Sequence, residues 1–202
     1  MSIWNVVRRT YRRLTRRREG AHEREAAATL ANVPVFEDVP RRSVRALAEA
    51  VHARTFRREE FLYYESDPGL GFYVVQSGRV RLTAASESGE PGELREVGPG
   101  ELFGECALLG DFPRMATAQA TAETRVWGFF RPDLKTMRQR HPRAAAAVVE
   151  ALARDLARRQ VAMARRMAEG GDRLRAKRMV EGAPLPAGQA GDGPGTQPAD
   201  ER

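Results

Sequence analysis

The stretch from Gly100 to Ala118, Gly-Glu-Leu-Phe-Gly-Glu-Cys-Ala-Leu-Leu-Gly-Asp-Phe-Pro-Arg-Met-Ala-Thr-Ala, concentrates the residues best suited to hold a ligand. Arg114 follows Glu105 by nine positions, after a proline and before small residues. A guanidinium offers a planar fork of donors that matches two phosphate oxygens, and a carboxylate accepts hydrogen bonds, as a ribose hydroxyl requires of its partner. Gly104 permits close approach of backbone to a ligand, and a short helical turn from Cys106 to Leu109 would aim free N–H groups outward at an anion. Together these groups describe a binding site for the sugar and phosphate of a nucleotide. On the residues alone a plainer reading stays open, in which Glu105 and Arg114 pair with each other to hold a buried loop.

Other chemistries find less support. His22, His52 and His141 are the only histidines and none stands at metal-ligand spacing to another, so each reads as a surface or packing residue and no metal is expected. Cys106 is the single cysteine; it has no histidine near it in sequence and reads as a small buried residue, so no catalytic set is expected and the chain is read as a non-enzyme. One cysteine forms no internal disulfide, which fits a reducing compartment. No secretory signal pattern follows Met1 and no run approaches the roughly 18 apolar residues of a membrane span, so a cytoplasmic location is expected.

The elements that must position the site follow from periodicity. Trp4, Val7, Tyr11 and Leu14 recur at three and four with arginines between, so residues 3–18 read as a basic amphipathic helix within an N-terminal segment 1–25. It would pack on the protein's own body or a partner, or lie on an anionic membrane surface. A short helix is predicted from Arg41 to Val51. From His52 to Phe130 the pattern becomes short apolar or alternating runs: Phe61–Tyr64, Phe72–Gln76, Arg79–Ala84, Leu94–Val97, Ala116–Ala120 and Arg125–Phe130. Breaks at Ser66–Gly69, Ser77-Gly78, 86–92 and Gly98–Gly100 supply turns. The expected fold is mainly β within an α+β class: an antiparallel barrel or jelly roll over 26–142, with short N-terminal helices and a long C-terminal helix at 143–169. A helix near Pro132–Arg140 precedes the long one, which Pro142 opens. Along the latter, Val149, Leu152, Leu156, Met163 and Met167 form a narrow seam that either packs on its own chain or joins two copies as a homodimer. Residues 174–180 read as one more turn or two of helix, and 182–202, with five Gly and four Pro, read as part of a mostly disordered tail spanning 170–202.

The net charge of +7 invites a nucleic-acid reading, but its distribution argues otherwise. Segments 1–25 and 143–178 carry +5 and +6, whereas 26–142 carries −1 and 179–202 carries −3. The basicity thus sits on flanking helices and not on the face of the folded body.

The segment Gly100–Ala118 resembles the phosphate-binding cassette of cyclic-nucleotide-binding domains. Phe103, Gly104, Glu105, Ala107, Leu108, Leu109, Pro113, Arg114, Ala116 and Thr117 stand where that pattern places such residues. The likeness extends to Asp67-Pro68-Gly69, to Tyr73 through Val80 and to Gly98-Pro99-Gly100, covering roughly 31–142 and the following helix. The resemblance implies a catabolite-activator-like sensor domain in which Glu105 binds the ribose 2′-hydroxyl and Arg114 the cyclic phosphate, with Gly104, Cys106 and Ala107 completing the cradle and Met115 and Ala116 beside it. It also implies that the helix 143–169 transmits binding to an effector protein or a dimer partner. Met115 departs from the pattern, because many members carry a small residue or a hydroxyl there and the hydroxyl contacts guanine; cyclic AMP is therefore expected over cyclic GMP, and Met115 could also crowd the pocket. The 31 residues after Gly171 are Gly- and Pro-rich and fewer than the roughly 50 of a helix-turn-helix output domain, so sequence-specific DNA binding is disfavoured. The alternatives are a ligand-free scaffold or dimerisation module of the same fold, or a nucleic-acid-associated regulator without that output domain.

Overall fold

The computed structural model of the 202-residue chain describes residues 20–86, 90–170 and 177. The expected helix at 3–18 and nearly all of the 174–180 and 182–202 segments lie outside the described residues. Helix α1 covers 20–31. A 3-10 turn at Pro34–Phe36 leads to α2 (Arg41–Ala48), and eight strands follow: β1 (His52–Phe56), β2 (Phe61–Tyr63), β3 (Gly71–Ser77), β4 (Val80–Ala85), β5 (Pro91–Val97), β6 (Leu102–Phe103), β7 (Thr117–Ala120) and β8 (Thr124–Phe130). Between β6 and β7 sits the one-turn helix α3 (Cys106–Leu109), and after β8 come α4 (Arg131–Arg140) and α5 (Pro142–Glu169).

The strands form two four-stranded antiparallel sheets, ordered β1-β8-β3-β6 and β2-β7-β4-β5. The jelly-roll expectation holds in this two-sheet form; the ladders among the described residues do not close into a barrel. Strand alternation divides the apolar residues between two cores, since successive side chains point to opposite faces. Val75 and Val126 join Val80, Leu82, Val97, Phe103 and Ala118 in one buried cluster shared by both sheets. Phe72, Val74, Trp127 and Phe129, on the opposite face of β3 and β8, join Leu30, Phe36, Leu47, Met137, Val148 and Leu152 from the helices. The first sheet is thus covered on both faces, which is why Phe72–Val75 and Val126–Phe130 read as nearly continuous apolar runs. β5 faces the inter-sheet core only through Val97 and is otherwise largely exposed.

Three elements escape the periodicity of the sequence. β1, His-Ala-Arg-Thr-Phe, is an edge strand that pairs among the described residues with β8 alone, and no apolar run marks it. β6 is two residues long. α1 is anchored by polar contacts as much as apolar ones: Glu25 accepts two hydrogen bonds from Arg125, at 3.0 and 3.1 Å, and Trp127 Nε1 donates to Thr29 Oγ1 at 3.3 Å.

The described residues fall into two units, one ending at Arg154 and the other beginning at Asp155. In the first, α5 buries Ala144, Ala145, Val148, Ala151 and Leu152, a face one step round from the expected seam: Leu152 lies on it, while Val149 is only partly buried. In the second, Val161 and Met163 are 41% and 50% exposed. No helix among the described residues is long and apolar enough to cross a membrane.

Candidate ligand-binding site

β6 delivers the chain to Gly104, whose φ of +78° lies in the left-handed region that side-chain-bearing residues avoid. That reversal turns the chain into the α3 turn, as expected from Cys106 to Leu109, burying Ala107 and Leu108. After Gly110 the loop returns past Pro113 to Arg114 and enters β7. The return is stitched to the turn between β2 and β3: Arg114 N–H donates to the Asp67 carbonyl at 2.9 Å, Ser66 N–H donates to the Arg114 carbonyl at 2.8 Å, and Pro68 bridges Pro113. Asp67 in turn accepts from the Tyr64 N–H at 2.8 Å, which tightens that turn. The Asp67-Pro68-Gly69 motif therefore acts as a brace for the arginine loop.

The Arg114 side chain is buried, at 6% exposure. Its Nη1 donates to the carbonyls of Gly71, at 2.7 Å, and Gly104, at 3.1 Å. The guanidinium carbon lies 4.1 Å from the centre of the Tyr63 ring and 5.8 Å from that of Tyr73, so the cation rests on aromatic faces. Tyr63, Tyr73 and Phe103 pack on one another with ring centres 5.6 to 6.2 Å apart. Burial pushes the phenols of Tyr63 and Tyr73 above the ordinary tyrosine value, and the neighbouring Arg114 only partly opposes this. Arg114 Nε is buried and has no hydrogen-bond partner among the described residues.

This arrangement corrects the plainer sequence reading. Arg114 makes no ion pair with Glu105 among the described residues; carbonyl oxygens and π faces hold it instead. Glu105 is itself buried, at 4% exposure, and its charge adds a little to the upward push on the Tyr63 phenol. Cys106 Sγ lies 3.9 Å from Glu105 Oε1. Ala116 is buried, whereas Met115 is 73% exposed and occupies little interior space. Gly71, Tyr63 and Tyr73 are the site residues that sequence reasoning missed as such. A signal existed for the tyrosines, which stand on strands either side of the Asp-Pro-Gly turn.

The site is coupled to the helices through Gly71 and Arg131. Gly71 accepts from Arg114 and pairs in register with Phe130, the last residue of β8. Arg131, which opens α4, donates through Nη2 to the Gly69 carbonyl at 2.7 Å and pairs with Asp111 of the loop at 3.0 Å. The histidines lie elsewhere. His22 packs edge-on against Trp127, His52 contacts Asp133 at 3.0 Å, and His141 lies 4.0 Å from Glu49; no His, Cys, Asp and Glu cluster that could hold a metal occurs among the described residues.

Residues 53–141 match the model of the cyclic nucleotide-binding domain family. The chain belongs to that family. It is 33% identical over 123 residues to the cyclic AMP receptor protein of Thermus thermophilus, covering 61% of this chain and 57% of the relative. It is 32% identical over 126 residues to the cAMP-dependent protein kinase regulatory subunit of Yarrowia lipolytica, covering 61% of this chain and 32% of that one. Among solved structures it resembles the N-terminal domain of a transcriptional regulator from Streptomyces coelicolor, with 34% identity, a TM-score of 0.59, and coverage of 63% of this chain and 91% of that domain. The chain thus spans about one third to three fifths of the two sequence relatives, one named a cyclic AMP receptor protein and the other a kinase regulatory subunit. What it shares with them is a cyclic nucleotide-binding regulatory domain.

Proposed function

We propose that the cassette binds cyclic AMP, with Arg114 on the cyclic phosphate, Glu105 on the ribose 2′-hydroxyl, and the backbone of Gly104, Cys106 and Ala107 completing the cradle. The observation that carries this reading is the state of Arg114. A buried guanidinium oriented by two carbonyls and an aromatic face, with Nε left without a partner, is a cation set in place with a donor to spare. An unpaired buried donor costs about 1–3 kcal/mol, and a phosphate oxygen would recover that cost. The buried Glu105 supplies the acceptor a sugar hydroxyl needs. Cyclic AMP is favoured over cyclic GMP because Met115 lacks the hydroxyl that the family resemblance assigns to guanine contact, and because both sequence relatives are named for cyclic AMP. The exposure of Met115 weighs against crowding of the pocket.

Calorimetric titration of cyclic AMP into the full chain tests the reading. Saturable binding to the wild type is expected, weakened at least about 100-fold in Arg114→Ala, which removes a charge-assisted phosphate contact of about 3 kcal/mol. Absence of binding to the wild type at millimolar ligand would leave the ligand-free scaffold as the function. The exposed Val161 and Met163 support homodimerisation through α5 as the route to an effector, and a sedimentation profile containing only monomer would exclude it.

A further inference from the structure

A second cavity, of about 340 Å³, opens where the N-terminus of α2 meets the N-terminus of α5, lined in part by Arg42, Ser43, His141, Pro142 and Arg143. Its charge runs against the ordinary preference of helices. The first turn of a helix carries unsatisfied N–H groups and the positive end of the macrodipole, so acidic residues are favoured there and cations are not. Neither α2 nor α5 has an acidic residue in its first turn, and α2 has no side-chain cap. Each carries arginine there instead: Arg41 and Arg42 on α2, Arg143 on α5. Neither Arg42 nor Arg143 makes an ion pair or a side-chain hydrogen bond among the described residues. Glu49, 4.0 Å from His141, is not among the groups that line the cavity.

Ser43 adds an observation independent of charge. It is 3% exposed and lines the cavity, and its hydroxyl makes no hydrogen bond to another protein group among the described residues, so what remains accessible of it faces that space. Two positive helix ends, two guanidinium groups without an ion pair among the described residues and a hydroxyl open to the same space have a common complement, a multiply charged oxyanion.

We propose that this cavity is a second anion site, separate from the cassette, which takes a phosphate group and ties the start of α2 to the junction of α4 and α5. Arg42 and Arg143 hold the phosphate oxygens from two sides and Ser43 donates its hydroxyl to a third. The volume leaves room for a small organic remainder. The cassette takes no part in this site, so the inference does not rest on the assignment of cyclic AMP.

The test titrates inorganic phosphate into the full chain at low ionic strength, read by calorimetry and by the backbone amide shifts of Arg42, Ser43 and Arg143. Saturable binding is expected, with shifts at those amides, about tenfold weaker in Arg42→Gln and in Arg143→Gln and undetectable in the double variant. Ser43→Ala should weaken it about threefold. Glycerol phosphate in solution and phosphatidate vesicles, run with the same variants, distinguish a free ester from a lipid headgroup; either response, if lost in the double variant, supports the site. Phosphate binding that survives in the double variant, or shifts confined to residues 104–116, would overturn the proposal, as would no binding at millimolar phosphate.

Discussion

Gly104→Ala tests most directly whether Arg114 is held in place or merely parked. The substitution acts in two separable ways. Alanine at a φ of +78° costs about 1–2 kcal/mol whatever its surroundings. The added Cβ would also overlap Arg114 Nη1, with Tyr63 Oη and the Gly71 carbonyl 3.4 and 3.5 Å from it. A long side chain on an open surface would swing aside at little cost. Arg114 cannot do so without giving up its hydrogen bonds to Gly71 and Gly104 and its seat on Tyr63. Hydrogen bonds from a charged donor contribute about 1.5–3 kcal/mol each and the cation–π contact about 1. Some of these contacts re-form after a shift, so the total loss of stability should be about 3 kcal/mol, of which the backbone accounts for only half. Affinity should fall further than stability predicts, because a guanidinium displaced by an ångström no longer meets the phosphate. Urea denaturation gives the first quantity and calorimetry with cyclic AMP the second. A variant losing only about 1 kcal/mol, with affinity within threefold of wild type, would refute the idea that two carbonyls and a ring fix the arginine.

Other substitutions address the surroundings of the site and the core. Tyr63→Leu should cost about 1–2 kcal/mol by denaturation and weaken cyclic AMP binding, since it removes the face under Arg114, while Tyr63→Phe keeps the face and should bind nearly as wild type. Because the Tyr63 phenol titrates above its unfolded value of about 10, the unfolded chain releases that proton first; stability should therefore fall as pH rises past about 10, and denaturation curves of Tyr63→Phe should show a shallower fall. Leu152→Ala, at a fully buried position of α5, should cost about 2–5 kcal/mol, whereas Met163→Ala, at a half-exposed one, should stay within about 0.5 kcal/mol in a monomer; a larger effect that grows with protein concentration would indicate a second copy covering it.

The legibility of this chain follows from where the physics is local. β2, β3, β4, β7 and β8 declare themselves because apolar runs ended by Gly, Pro and Asp are the cheapest way to write a buried strand, and α4 and α5 because Pro132 and Pro142 stand at helix starts. β1 is silent: an edge strand with polar faces has no hydrophobic pattern, and its existence depends on β8 offering a ladder. α1 is quiet for a related reason, since Glu25 and Thr29 dock it through partners about a hundred residues away. Within the site, the residue types and spacing of Glu105 and Arg114 were readable because the resemblance is carried by contiguous residues. Tyr63 beneath the guanidinium was not, because only the pairing of β2 with β7 brings it there. The first half of α5 packs Ala144, Ala145, Val148 and Ala151 against the core, a face that the sequence marks only faintly because alanines give a weak signal beside Leu and Met.

The same geometry suggests how a bound ligand would be felt beyond the cassette. Arg114 is tied to Gly71, Gly71 is paired with Phe130, and Arg131 reaches back to Gly69 and Asp111, so both ends of the arginine loop touch the first residue of α4 or its neighbour. A shift of Arg114 toward a phosphate pulls on the Gly71 carbonyl, while a shift of the loop moves Asp111 against Arg131. Arg131→Ala removes the second of these links and leaves the ligand contacts alone. If the α4 start reads the loop, this variant should retain cyclic AMP affinity within about threefold, and ligand-induced changes in amide exchange at 131–145 should shrink. Unchanged exchange differences in Arg131→Ala would place the coupling on the Gly71–Phe130 pairing alone, where Gly71 has no room for a side chain against Phe129 and Phe130.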